Sequence, residues 1–123
     1  MGKRVLVVDD SQSIRQHVGA TLVAAGFEVV EAVDGVDALE RLTAGLDVAL
    51  VLCDVNMPRL NGLELLDKLQ AQGLLARVPV VMLTTEGQPT MMQRAKQAGA
   101  KGWIVKPFKP PLLVAAVQKL TSQ

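Results

Sequence analysis

The 123-residue sequence has few aromatic residues, one cysteine and one histidine. With only two Phe and one Trp, any core must be aliphatic. The lone cysteine, Cys53, excludes an internal disulfide and suits a reducing cytoplasm. With His17 as its only imidazole companion, no Cys/His zinc cluster is available. No apolar run approaches the ~20 residues of a membrane span, and no basic leader precedes a long apolar stretch. The formal net charge of +1 carries no footprint of nucleic acid or of an acidic partner. Repeats, linkers and low-complexity segments are also missing. The expectation is a cytoplasmic protein without membrane or nucleic-acid contacts.

Aliphatic residues dominate instead. Half the residues are hydrophobic, enough at this length for one sizeable core in one domain over residues 1–123. The organising stretch is Val48-Ala49-Leu50-Val51-Leu52-Cys53-Asp54. Six apolar residues without a break, rich in Val and Leu, predict a strand buried on both faces. Asp54 falls where that strand leaves the core. Asn56, Met57, Pro58 and Gly62 follow, so the chain turns there.

Similar segments recur. Arg4 to Val8 reads as a first strand ending in Asp9-Asp10, and Ser11 caps a helix with Ile14, Val18, Leu22 and Ala25 at helical spacing. Gly26 stops that helix. Phe27 to Ala32 predicts a second strand, closed by Asp34-Gly35, and Val36 to Thr43 a short helix stopped near Gly45. Leu63, Leu65, Leu66 and Leu69 mark a third helix ending by Gly73. Val80 to Thr84 follows Pro79 as a fourth strand, and Pro89 opens a fourth helix running to Ala98. Gly102 to Lys106 is a fifth strand, and Pro110-Pro111 open a last helix.

Five strand–helix alternations predict an α/β fold: a doubly wound, flavodoxin-like (βα)5 parallel sheet in order 2-1-3-4-5. Ligands of such sheets bind outside the carboxyl ends of the strands, at the switch between strands one and three. That edge receives Asp9, Asp10, Asp54, Thr84 and Lys106. Taken singly, an acidic pair after a strand is ordinarily a cap or a solvated turn, and a lone lysine a surface residue. Their coincidence at one predicted edge carries the weight. Two unit charges ~4 Å apart cost roughly 4 kcal/mol at an effective dielectric of 20, so three acids require counter-charge. Lys106 supplies one, and a hard cation bound by oxygen, Mg²⁺ rather than zinc, would supply more. His17 reads as a surface residue away from this edge.

This set of residues resembles the receiver domain of two-component response regulators, of the single-domain chemotaxis (CheY-like) type. The resemblance rests on Asp9-Asp10, Asp54 with Met57-Pro58 and Gly62, Thr84, and Lys106-Pro107-Phe108, and covers essentially the whole chain. It implies that Asp54 takes a phosphoryl group from a kinase histidine. Asp10, Asp54 and the Asn56 carbonyl would hold Mg²⁺, with Asp9 acting through water. Thr84 and Lys106 would each contact a phosphoryl oxygen, and Lys106–Pro107 would often be cis. Trp103 would be the switch aromatic, and Asn56 with Glu86 would tune loss of the phosphoryl group. The implied output face spans the fourth helix, fifth strand and fifth helix: Met91, Met92, Ala95, Lys101, Trp103, Ile104 and Lys119.

The expected activity is a signalling switch that catalyses only its own phosphorylation and dephosphorylation, not an enzyme. Its expected partners are a sensor histidine kinase, a downstream protein with a flagellar motor switch component as candidate, and a phosphatase. The chain ends two or three residues after the last helix, so output through a protein contact is expected. Alternatives are a phosphate sink, the receiver portion of a larger regulator, a flavin-binding module and an aspartate-nucleophile phosphatase. Asp9-Asp10 would repel a flavin phosphate, and Asn56 stands where such a phosphatase needs a second acid.

Overall fold

A computed structural model describes residues 3–121. Strands β1 (Arg4–Val8), β2 (Glu28–Ala32), β3 (Leu50–Cys53), β4 (Val80–Thr84) and β5 (Gly102–Val105) form one parallel sheet in order β2-β1-β3-β4-β5. Helices α1 (Gln12–Ala24), α2 (Gly35–Thr43), α3 (Gly62–Ala71), α4 (Pro89–Gln97) and α5 (Pro110–Thr121) connect and follow them. This is the doubly wound order expected from the alternation.

Side chains alternate across each strand, and both faces are covered. Leu6, Val8, Val51, Cys53, Val80 and Met82 pack toward Leu65, Leu66 and Leu69 of α3, together with Ala38 of α2 and Ala95 of α4. Val5, Val7, Leu50, Leu52, Val81 and Leu83 pack on the opposite face against Val18 and Leu22 of α1 and Leu113 and Val117 of α5. Each fully buried Leu or Val is worth roughly 1.5–3 kcal/mol. That double burial is why β3 reads as an unbroken apolar run.

Element ends differ from the sequence reading where loop bonding decides them. Phe27 does not start β2: its N–H bonds to the Leu22 carbonyl, while the Gly26 N–H bonds to that of Val23. With Gly26 at φ 97°, these close α1 in a Schellman motif. Val48 is buried but precedes β3, and the Ala49 N–H reaches the Arg4 carbonyl at 2.7 Å. β5 stops at Val105, although the Lys106 N–H still bonds to the Thr84 carbonyl at 2.8 Å. A 3-10 turn, Leu74–Ala76, was not anticipated; Leu74 and Leu75 pack half-buried on the core. Among the described residues, no helix is long and apolar enough to cross a membrane.

Candidate functional site

The register places the ends of β1 and β3 side by side, with Val8 paired to Cys53. Asp9 and Asp54 therefore leave the sheet together, and the Asp54 N–H donates to the Val8 carbonyl at 3.0 Å. Carboxylate oxygens of Asp9, Asp10 and Asp54 all lie within 4.8 Å of one another. Asp9 and Asp54 are buried, whereas Asp10 is exposed. Lys106 reaches across from the end of β5, its Nζ 2.8 Å from Asp9 Oδ2 and 3.4 Å from Asp54 Oδ2. One ammonium bridges two buried carboxylates, leaving the group of four charges net negative. An all-oxygen donor set with excess negative charge fits a hard divalent cation such as Mg²⁺.

Local bonding fixes each acid. Asp9 Oδ1 accepts from the Ser11 N–H at 2.9 Å, and its carbonyl accepts from Arg15 at 2.6 Å. Ser11 in turn caps α1 through the Ile14 N–H. Gly62 begins α3 against the loop after β3, where a Cβ would lie 2.3 Å from the Asp54 carbonyl oxygen. Only glycine permits that approach. Beneath Asp54, burial and then the charges of Asp54 and Asp9 push the Cys53 thiol far above its ordinary range. It stays protonated.

Thr84 is fully buried at the end of β4, its hydroxyl accepting from the Glu86 N–H at 3.3 Å. The Asn56 side chain donates to Glu86 Oε2 at 2.7 Å, and the Trp103 indole N–H donates to the Glu86 carbonyl at 2.8 Å. Glu86 thus links the loop after β3 to the aromatic on β5. The Lys106–Pro107 bond is cis.

The expected output residues do not share one environment. Ala95 is buried at 1 % exposure and packs into the core, which corrects its place on a contact surface. The small side chain sits on the inner stripe of α4. Met91 and Ile104 are half-buried against the core, while Met92, Lys101 and Lys119 are exposed. A groove of about 600 Å³ runs between α4 and β5, with Met92, Lys96, Lys101 and Trp103 in its lining.

Three features escaped the sequence reading. His17 is exposed as expected, yet its ring lies tilted at 38° with its centroid 4.9 Å from that of Phe108, two residues beyond Lys106. Asp34 and Arg59 pair between two loops, and nothing in their local sequence signals it. The third feature was legible. All twelve acids lie at or before Glu86, whereas six of the thirteen Lys and Arg residues follow it. The net charge of +1 conceals that segregation, and α4, β5 and α5 carry no acid.

A parallel 2-1-3-4-5 sheet with three acids and a bridging lysine at its carboxyl edge is the arrangement of a signalling receiver, and the comparisons with known proteins agree. The sequence model of the response regulator receiver domain matches residues 5–118, and the chain belongs to that family. It is 42% identical over 111 residues to the chemotaxis protein CheY1 of Helicobacter pylori, covering 89% of this chain and 90% of that protein. A CheY homolog of Campylobacter jejuni is also 42% identical, over 89% of this chain and 85% of its own. Among solved structures, CheY4 of Vibrio cholerae superposes with a TM-score of 0.89 at 42% identity, covering 98% of this chain and 99% of that one. The chain is thus a receiver domain of the CheY type.

Proposed function

We propose that this domain is a phosphorylation-activated chemotaxis switch whose acceptor is Asp54. The observation that carries the reading is the Lys106 ammonium bridging Asp9 and Asp54 inside a group of three carboxylates. An Asp54 oxygen forms a new O–P bond as the N–P bond of a kinase phosphohistidine breaks. The electron pair stays on the departing imidazole nitrogen, which takes up a proton from solvent. Phosphoryl transfer asks mainly for positioning and charge neutralisation. Lys106 would neutralise one phosphoryl oxygen, and the Thr84 hydroxyl would turn from the Glu86 N–H to donate to another. Asp10, Asp54 and the Asn56 carbonyl would hold Mg²⁺, with Asp9 acting through water. When bound, the ion supplies further positive charge beside the phosphoryl oxygens.

Phosphorylation adds about one negative charge and can create 1–3 charge-assisted hydrogen bonds, each worth roughly 1.5–3 kcal/mol. Moving a two-state equilibrium from 1:99 to 99:1 takes about 5.5 kcal/mol. The new bonds span that figure, so at the lower end of the range the phosphoryl group alone gives a partial shift, completed by partner binding. Trp103, held to Glu86, is the switch aromatic, and the basic α4–β5–α5 face around it receives a cytoplasmic protein partner. The donor would be a sensor histidine kinase and the target a flagellar motor component, with a phosphatase as a further partner; likeness to chemotaxis proteins supports the chemotaxis setting.

Acetyl phosphate with Mg²⁺ tests the reading. Intact-mass analysis should show one phosphoryl adduct in the wild type and none in Asp54→Ala. A wild type without an adduct refutes it.

A further inference from the structure

The loop from Val55 to Asn61 joins the acceptor carboxylate to α3, and Arg59 is its one residue in the left-handed region, at φ 68°. Non-glycine residues rarely hold that conformation unless their surroundings enforce it. The turn is tight: the Leu60 N–H bonds back to the Pro58 carbonyl at 2.8 Å. The enforcing contact comes from another loop. Arg59 Nε lies 2.7 Å from Asp34 Oδ2 and its Nη2 3.2 Å from Oδ1, a two-pronged grip on a buried carboxylate. Asp34 is itself fixed, because Oδ1 also caps α2 by accepting from the Asp37 N–H at 2.8 Å. Beside the pair, the Gly35 N–H donates to the Leu60 carbonyl at 3.1 Å. A Cβ on Gly35 would come within 2.2 Å of that oxygen, so the two backbones are in direct contact. The far end of the loop is tied as well, by the Gly62 N–H to the Val55 carbonyl at 2.9 Å.

Asn56 rides on this loop. Its N–H faces Asp54 Oδ1 at 3.4 Å and its side chain meets Glu86 at 2.7 Å. We propose that Arg59 is a positioning residue: gripping Asp34, it holds the strained loop after β3 so that Asn56 stands in register with the acceptor. The Arg59 side chain bonds to Asp34 rather than to the reacting group, and acts through Asn56. The inference rests on the reading of Asp54 as phosphoryl acceptor.

Two variants test it. Arg59→Gly removes the grip while relieving the left-handed strain. Asp34→Asn keeps the α2 cap, since Asn caps as well as Asp, but removes the charge that Arg59 holds. Both should weaken Mg²⁺ binding, followed by Trp103 fluorescence, by about three- to tenfold, less than direct partners of metal ligands show. Both should also shorten the half-life of phosphorylated Asp54, and the double variant should do no more than either alone. Amide exchange at Gly35 and Leu60 in the unphosphorylated protein should rise in both. Arg59→Gly should melt no lower than Arg59→Ala, because glycine adopts the turn freely.

Unchanged amide exchange, or Mg²⁺ affinity and half-life both within about twofold of wild type, overturns the proposal, since even outer partners of a metal site shift affinity more than that. A wild type that takes no phosphoryl group from acetyl phosphate, with Asp54→Ala as control, refutes the acceptor assignment instead. The exchange measurement still judges the grip in that case.

Discussion

Asn56 and Glu86 meet across the mouth of the site, side-chain amide to carboxylate at 2.7 Å. The pair joins the loop after β3 to the loop after β4, beside Asp54, which is only 8% exposed. Under the proposed function, these two polar groups would orient the water that attacks an acyl phosphate on Asp54. Replacing Glu86 with Leu removes the pair and puts a bulky apolar chain at the entrance. The phosphoryl half-life should lengthen several-fold, measured by phosphate release after the donor is removed. An unchanged half-life would assign the pair a purely structural role.

Lys106 is set against the carboxylates at 2.8 and 3.4 Å, where it competes with any bound cation for the same negative charge. Lys106→Met should therefore tighten Mg²⁺ binding while impairing the response to phosphorylation. A unit charge contributing even a third of the ~4 kcal/mol available at 4 Å and a dielectric of 20 corresponds to roughly tenfold in affinity. Titration of Trp103 fluorescence with MgCl₂ checks this. Weaker binding in the variant would show that the lysine organises the acids more than it opposes the ion.

The Asp34 carboxyl is held below its ordinary value of 3.8, first by the hydrogen bond from Arg59, then by the Asp37 N–H, against the opposing effect of its burial. A depressed carboxylate stabilises the fold above its unfolded-state pKa, and that stability is lost as pH falls through the lower folded value. The gap in urea midpoint between wild type and Asp34→Asn should stay constant from about pH 7 to 5 and close below about pH 4. High salt should narrow it, because Arg59 is largely in solvent. A gap that persists at low pH would mean the charge is not what Asp34 contributes.

The sheet was readable because its central strands, β1, β3 and β4, are buried on both sides. A run such as Leu50 to Cys53 has no polar position to confuse with a helix, and an acid at its end marks where solvent begins. The edge cluster followed from topology, since Asp9, Asp54, Thr84 and Lys106 all stand at strand ends pointing the same way. Contacts between loops were not readable. Asp34 looks like an ordinary helix cap, and only the approach of Leu60 to Gly35 brings Arg59 within reach. Ala95 stood on the output face only by resemblance; a single alanine carries no local signal of the packing that turns it to the inner stripe of α4. The charge segregation needed a count along the chain, which the total of +1 averages away.

The solitary thiol at position 53 lies beneath the sheet edge with no exposed surface. Maleimide dyes and spin labels will leave the native molecule untouched. A cysteine introduced on α4 or beside Trp103 would then be the sole point of attachment, so a reporter can be placed on one surface without first rebuilding the interior.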